Sequence, residues 1–175
     1  ALNRYINLDY EFGLIIGYYA SEGSVGANGR SVHFSLGAHE EDFILQLQTA
    51  IYNVFGIKSK TYYTADNVCT VYVNSRIFAE LLSSICPGNV YTKYILPDIL
   101  YSNQDFLRGF VESMFNGDGC VHDDKIATIQ LVSLSLLSQL KIVLNYFGIY
   151  SSFYKVNRPK IGVFKNKLVN FSQAY

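Results

Sequence analysis

The sequence predicts an α+β fold of two pseudo-symmetric αββαββα halves, residues 1–101 and 102–175, with antiparallel saddle-shaped sheets packed through two motif helices. Three observations predict it. Residues 13–23 read Gly-Leu-Ile-Ile-Gly-Tyr-Tyr-Ala-Ser-Glu-Gly and residues 109–119 read Gly-Phe-Val-Glu-Ser-Met-Phe-Asn-Gly-Asp-Gly, so small residues recur every fourth position and an acid and a glycine close each stretch. Asn53-Val-Phe-Gly-Ile-Lys-Ser returns as Asn145-Tyr-Phe-Gly-Ile-Tyr-Ser. Between these marks the apolar pattern changes period in the same order in both halves. The offset between copies is 96 residues at the motifs and 92 at the second match, which makes the second copy's first hairpin four residues shorter. This is the signature of an internal duplication.

Asp9 is placed to cap a first helix running to about Ser21. Gly23, Gly26 and Gly29 then open a turn. In 31–38 the apolar Val32, Phe34 and Leu36 alternate with Ser31, His33 and Ser35, the pattern of a half-exposed strand. A helix is expected from Glu40 to Phe55, stopped at Gly56, followed by strands over Ile57–Thr64 and Val68–Asn74. Arg76–Cys86 reads as a helix ended by Pro87-Gly88, and Asn89–Tyr101, holding Lys93 and Pro97, joins the halves. Ser102-Asn-Gln-Asp105 reads as a capping box for the second motif helix. The second copy then gives a strand over Ile126–Ser133, a helix over Ser135–Phe147 and strands near Tyr150–Asn157 and Ile161–Lys165, leaving a stub, Lys167–Tyr175, where the first half has a helix.

The four-residue spacing aligns Gly13, Gly17 and Ser21, and likewise Gly109, Ser113 and Gly117, along one stripe of each helix. A stripe without side chains lets another helix backbone come close, and the other copy is the natural partner. In parallel packing Glu22 and Asp118 would leave adjacent C-terminal ends, where helix dipoles and mutual repulsion both disfavour carboxylates. A divalent cation reverses both penalties, and hard cations take carboxylate, carbonyl and water oxygens. The competing reading is tight packing followed by an ordinary glycine stop. Two copies in matched register favour the metal site.

Bulk properties set limits. The chain is 50% hydrophobic and 15% aromatic, a globular composition. No apolar run reaches the length of a membrane span and the start lacks the apolar stretch of a signal peptide, so an intracellular place, cytoplasm or nucleoid, is expected. Cys69, Cys86 and Cys120 are scattered, which argues against zinc and disulfides, and Cys69 and Cys120 read as small core residues. Net charge is zero, a weak argument against phosphate binding, but Lys155, Arg158, Lys160, Lys165 and Lys167 follow Tyr150 with no acid among them.

These residues resemble the LAGLIDADG homing endonucleases. Gly17–Gly23 falls on the motif's third to ninth positions with Glu22 at the catalytic acid, and Ser113–Gly119 does the same with Asp118. Ser113 stands where that pattern has glycine. Tyr-Tyr-Ala-Ser-Glu-Gly and Phe-Leu-Arg-Gly-Phe-Val-Glu-Ser are most similar to the endonuclease domains carried by inteins, and the splicing part is expected to be absent, since the chain opens with Ala1 and closes with Tyr175. The resemblance implies a site-specific double-strand DNA endonuclease, a monomer with internal twofold symmetry. It implies that Glu22 and Asp118, helped by the carbonyls of Ser21 and Gly117, hold Mg2+ or another hard divalent cation. It also implies Lys93, shortly before Pro97, as a nearby basic group. The saddle would seat duplex DNA, whose major groove admits a two-stranded β-ribbon. The outward DNA-contact candidates are Arg30, His33, Ser35, Lys58, Lys60, Tyr62 and Asn74, then Lys125, Thr128, Gln130, Lys155, Asn157 and Arg158. A non-cleaving nucleic-acid-binding module, an RNA maturase or a DNA-binding domain on the same fold, is the competing function.

Overall fold

A computed structural model of the chain describes residues 5–123, 125–155, 161–164 and 167–170. The elements run α1 (Tyr10–Glu22), β1 (Gly23–Val25), β2 (Val32–Gly37), α2 (Glu41–Phe55), β3 (Lys60–Tyr63), β4 (Val68–Val73) and α3 (Arg76–Ile85). A short α4 (Pro97–Leu100) leads to α5 (Gln104–Asp118), β5 (Gly119–His122), β6 (Ile126–Ile129), α6 (Leu134–Tyr146), β7 (Ile161–Phe164) and β8 (Lys167–Asn170). The fold is α+β, as expected. Asp9 caps α1 by accepting the Phe12 amide at 3.0 Å, which satisfies one of the helix's orphan donors. The cap of α5 differs from the expected box: Asn103 accepts the Asp105 amide at 2.8 Å, while Ser102 turns back to donate to the Ile99 carbonyl. That inward bond closes the α4 turn, an element the sequence did not announce.

The first repeat makes a four-stranded antiparallel sheet in the order β1-β2-β4-β3. Alternation sorts its faces. Val32, Phe34, Leu36, Cys69, Val71 and Val73 point inward and are buried, whereas His33, Ser35 and Tyr72 share the outer side. Among the described residues the second repeat holds two two-stranded ribbons, β5-β6 and β7-β8. Residues 150–155, expected in a strand, have no regular structure, and the partner of β7 is β8, in the segment read as a stub. Cys120 is exposed, not in the core, because it pairs with Thr128 on the outer side, as Ser24 pairs with His33 in the first repeat. Cys69 is buried as expected.

The two motif helices form the centre. A Cβ on Gly13 would collide with the Phe106 carbonyl, one on Gly17 with Ser113, one on Gly109 with the Tyr10 carbonyl and one on Gly117 with Ser21. These contacts are reciprocal and advance together along both helices, so α1 and α5 lie parallel and in register. The Ser113 hydroxyl, fully buried, donates back to the Gly109 carbonyl at 2.9 Å, which removes the cost of burying an unpaired hydroxyl. Phe12, Ile15 and Ile16 from α1 and Phe106, Phe110 and Met114 from α5 extend the core on either side. No helix among the described residues is long and apolar enough to cross a membrane.

Candidate active site

Parallel register brings the last residues of α1 and α5, Glu22 and Asp118, to the same end of the helix pair, both half-buried. Neither helix stops in the usual left-handed turn that ends α2 at Gly56, with φ of 66°. Gly23 and Gly119 have extended dihedrals, φ −90°, ψ 145° and φ −84°, ψ 156°, so each helix runs directly into a strand. Glycine is needed there for closeness. A Cβ on Gly23 would strike the Tyr19 backbone and ring, and one on Gly119 the Phe115 carbonyl. The acid at each joint therefore has no loop to move on.

Burial pushes the Glu22 carboxyl up to about 8, with Asp118 and Glu40 adding repulsion and Lys93 opposing. Burial raises Asp118 as well, again opposed by Lys93. Both carboxyls are thus less acidic than free ones, a cost that a bound cation would offset. Lys93 lies where these charges meet: its ammonium donates to the carbonyls of Tyr19 (2.7 Å), Ala20 (3.3 Å) and Gly23 (2.7 Å) and sits 4.9 Å from the centre of the Tyr19 ring. It caps the negative end of α1. Burial lowers its affinity for a proton, while Cys86, Asp118 and Glu22 act the other way. The neighbouring Cys86 is a buried core thiol, pushed by burial up to about 11.

The donor set suits a hard cation. It consists of two carboxylates and the last-turn main-chain oxygens, including Ser21 and Gly117, which a helix leaves without intrahelical partners. Among the described residues no group of three or more His, Cys, Asp or Glu side chains is placed to hold a metal. Two carboxylates with backbone oxygens and water are donors of the kind hard divalent cations take.

The sheet gathers some of the expected contact residues and not others. Ser24, His33, Tyr72 and Lys60 stand opposite one another across all four strands, and Ser35, Thr70 and Tyr62 form the next row. His33 is fixed by Ser31 Oγ at 2.8 Å and stacks on Tyr72 with ring centres 6.1 Å apart, and Tyr62 leans on Tyr72 at 5.7 Å. Tyr72 was absent from the expected set, although its parity with Thr70, opposite to Cys69, Val71 and Val73, marked it. Arg30 is exposed in the β1–β2 turn and Asn74 directly follows β4. The strand expected from Ile57 begins only at Lys60, so Lys58 stands before it and lines a cleft with Gln48, Thr49 and Tyr52 of α2. In the second repeat Thr128 pairs with Cys120 and bonds His122 at 3.0 Å, Lys125 is exposed in the β5–β6 turn and Gln130 follows β6. Lys155 is exposed and outside any strand, and Asn157 and Arg158 lie outside the described residues.

A model of the LAGLIDADG-like domain matches residues 9–86 and 105–169, one stretch in each repeat. The chain belongs to this family. An uncharacterized protein of Methanocaldococcus jannaschii is 30% identical over 169 residues, covering 89% of this chain and 19% of its own length. A DNA polymerase of Thermococcus litoralis is 27% identical over 176 residues, covering 98% of this chain and 10% of its own. The LAGLIDADG chain thus spans a small part of the curated relatives it matches. Among solved structures, full-length DUF199/WhiA from Thermatoga maritima superposes with a TM-score of 0.62 at 11% identity, over 98% of this chain and 51% of that one. The homing endonuclease I-DmoI in complex with DNA and Mn superposes with a TM-score of 0.59 at 16% identity, over 85% of this chain and 83% of that one. The LAGLIDADG fold is therefore shared with a homing endonuclease and with WhiA.

Proposed function

We propose that the protein is a metal-dependent, site-specific double-strand DNA endonuclease, acting as a monomer inside the cell and divided at 101/102 into two LAGLIDADG units. The observation that carries the reading is the pair of half-buried acids, Glu22 and Asp118, at adjacent helix ends where burial raises both. The structures titled as I-DmoI with DNA and Mn, and with DNA and Ca, support it by likeness of fold. Matches to domain-sized stretches of polymerases support an intein-like setting.

Glu22 and Asp118 would hold the cation, with the carbonyls of Ser21 and Gly117 and with water. A hard cation supplies Lewis acidity at the scissile phosphate and lowers the pKa of an attacking water. The protein's own share is orientation and charge. The loop-free joints at Gly23 and Gly119 fix the carboxylates, the helix pair would offer one acid to each strand, and Lys93 would bring a positive charge beside Glu22 to meet a phosphate. The row Ser24-His33-Tyr72-Lys60 offers hydroxyl, imidazole and ammonium groups to a groove, with Arg30, Ser35, Tyr62 and Asn74 around it. Thr128, Lys125, Gln130 and Lys155, followed in sequence by Asn157 and Arg158, would serve the second half-site.

The experiment is incubation with a randomised duplex library in magnesium, followed by sequencing of ends. A staggered cut at one long site is expected. Retarded but uncut DNA would replace this reading with a non-cleaving binder, which the zero net charge and Ser113 at the motif's glycine position favour.

A further inference from the structure

The backbone that carries Lys93 is held by both repeats. From the first repeat, Leu96 donates to the Ile85 carbonyl at 2.9 Å and Tyr94 to the Pro87 carbonyl at 3.3 Å. From the second, Gln139 of α6 grips Ile95 with both ends of its amide: the Ile95 amide donates to Oε1 at 2.8 Å and Nε2 donates to the Ile95 carbonyl at 2.6 Å. Ser133 Oγ donates to the carbonyl of Lys93 itself at 2.6 Å while accepting the Leu136 amide at 3.3 Å as the cap of α6. Ile95 is fully buried and Ser133 nearly so, so water cannot replace these bonds cheaply. The Lys93 main chain is thus fixed by α6 while its ammonium rests on the end of α1.

We propose that Ser133 and Gln139 are positioning residues for Lys93, by which helix α6 of the second repeat sets the lysine against the acid-bearing end of the first repeat's motif helix. The consequence is functional coupling. Lys93 reaches its place beside Glu22 only when the second repeat is folded around the linker, although neither Ser133 nor Gln139 touches a reacting atom. For its catalytic arm the inference rests on the endonuclease reading given above, and for its positional arm it does not.

The test uses the full chain and two readouts. Lysines are acetylated with a limiting amine reagent and quantified by mass spectrometry, with the exposed Lys58 and Lys60 as internal references. Gln139→Met removes both bonds to Ile95. Ser133→Asp keeps an acceptor for the α6 cap and loses the donor to Lys93, which separates capping from positioning. Both should raise Lys93 labelling severalfold relative to the references, and Ser133→Thr, which keeps the hydroxyl, should stay at the parent's level. On cut duplex in magnesium, the first two should lose about ten- to a hundredfold in kcat with KM little changed, as loss of an outer positioning partner does. Unchanged Lys93 labelling in whichever of the two remains folded by circular dichroism overturns the proposal. So does raised labelling with unchanged kcat. If the parent cuts no duplex, the endonuclease reading falls and the labelling arm alone decides the positioning.

Discussion

In the first repeat the motif helix feeds a four-stranded sheet and its end is capped by a lysine, whereas in the second the corresponding helix feeds, among the described residues, a two-stranded ribbon. The helices themselves keep the same stripe of small residues and the same closing acid and glycine. The difference shows where a duplicated chain is free to change. The stripe of each helix is the surface against which the other packs, so Gly13, Gly17, Gly109 and Ser113 constrain one another. The sheets face outward and answer separately to whatever they bind.

Replacing the acids tests how far the asymmetry reaches. Glu22→Gln and Asp118→Asn should each lower duplex cleavage by about a hundredfold or more, since each keeps shape but removes a charge a hard cation requires. Gel-shift affinity should stay near the parent's, and calcium should support binding without efficient cutting. A variant that still cuts both strands at the parent's rate would end the two-acid mechanism. One that nicks a single strand would assign that acid to the other.

Next in size is the shared interface. Gly17→Leu drives a side chain into Ser113 and the Phe110 carbonyl and should cost about 3 kcal/mol or more. Ser113→Gly loses the hydroxyl shared between the Gly109 and Phe110 carbonyls and some helix propensity and should cost about 1 kcal/mol. Urea melts of the two compare them directly. Equal small shifts would mean that the stripe is not the contact.

A smaller effect separates pH regimes. Glu22 titrates near 8 in the fold against 4.5 for the free side chain, so between those values the folded protein keeps a proton that the unfolded chain has lost. Its contribution is therefore present at pH 5 and declines as pH rises through 8. Without metal, Glu22→Gln should melt above the parent at pH 8.5 (about half a unit past that pKa) and close to it at pH 5. A variant that melts lower at both would mark Glu22 as a structural hydrogen-bond acceptor. Least of all, Lys60→Gln should reduce the slope of log affinity against log salt by about one unit and Lys58→Gln by none, because only Lys60 stands on the outward row.

Much of this arrangement was legible because period and repetition are local signals. Alternation in 31–38 assigned Val32, Phe34 and Leu36 to the inner face, and the matched motifs gave the helix pair and both acids. What escaped depends on contacts distant in sequence or on strand ends. Lys58 was expected inside a strand, but β3 starts at Lys60 instead of Ile57. Asn103 displaced Ser102 as a cap because Ser102 had a nearer acceptor in Ile99. Lys93 could be singled out, but its carbonyl partners lie 70 to 74 positions away, Ser133 lies 40 positions from it and Gln139 lies 44 from Ile95, beyond any local pattern.

The reciprocal register of α1 and α5 also bears on ancestry. A contact in which Gly13 meets Phe106 while Gly109 meets Tyr10 is isologous, the kind two identical subunits make about a twofold axis. Joining such subunits with a linker turns their encounter into an intramolecular one, at an effective concentration in the millimolar range for a short flexible tether. Fusion also lifts the rule that both sides carry the same residue. Ser113 fits because Gly17 stands opposite, with no room there for a second side chain. A dimer of identical chains would set serine against serine or glycine against glycine, so this pairing is open only to a chain that carries both halves.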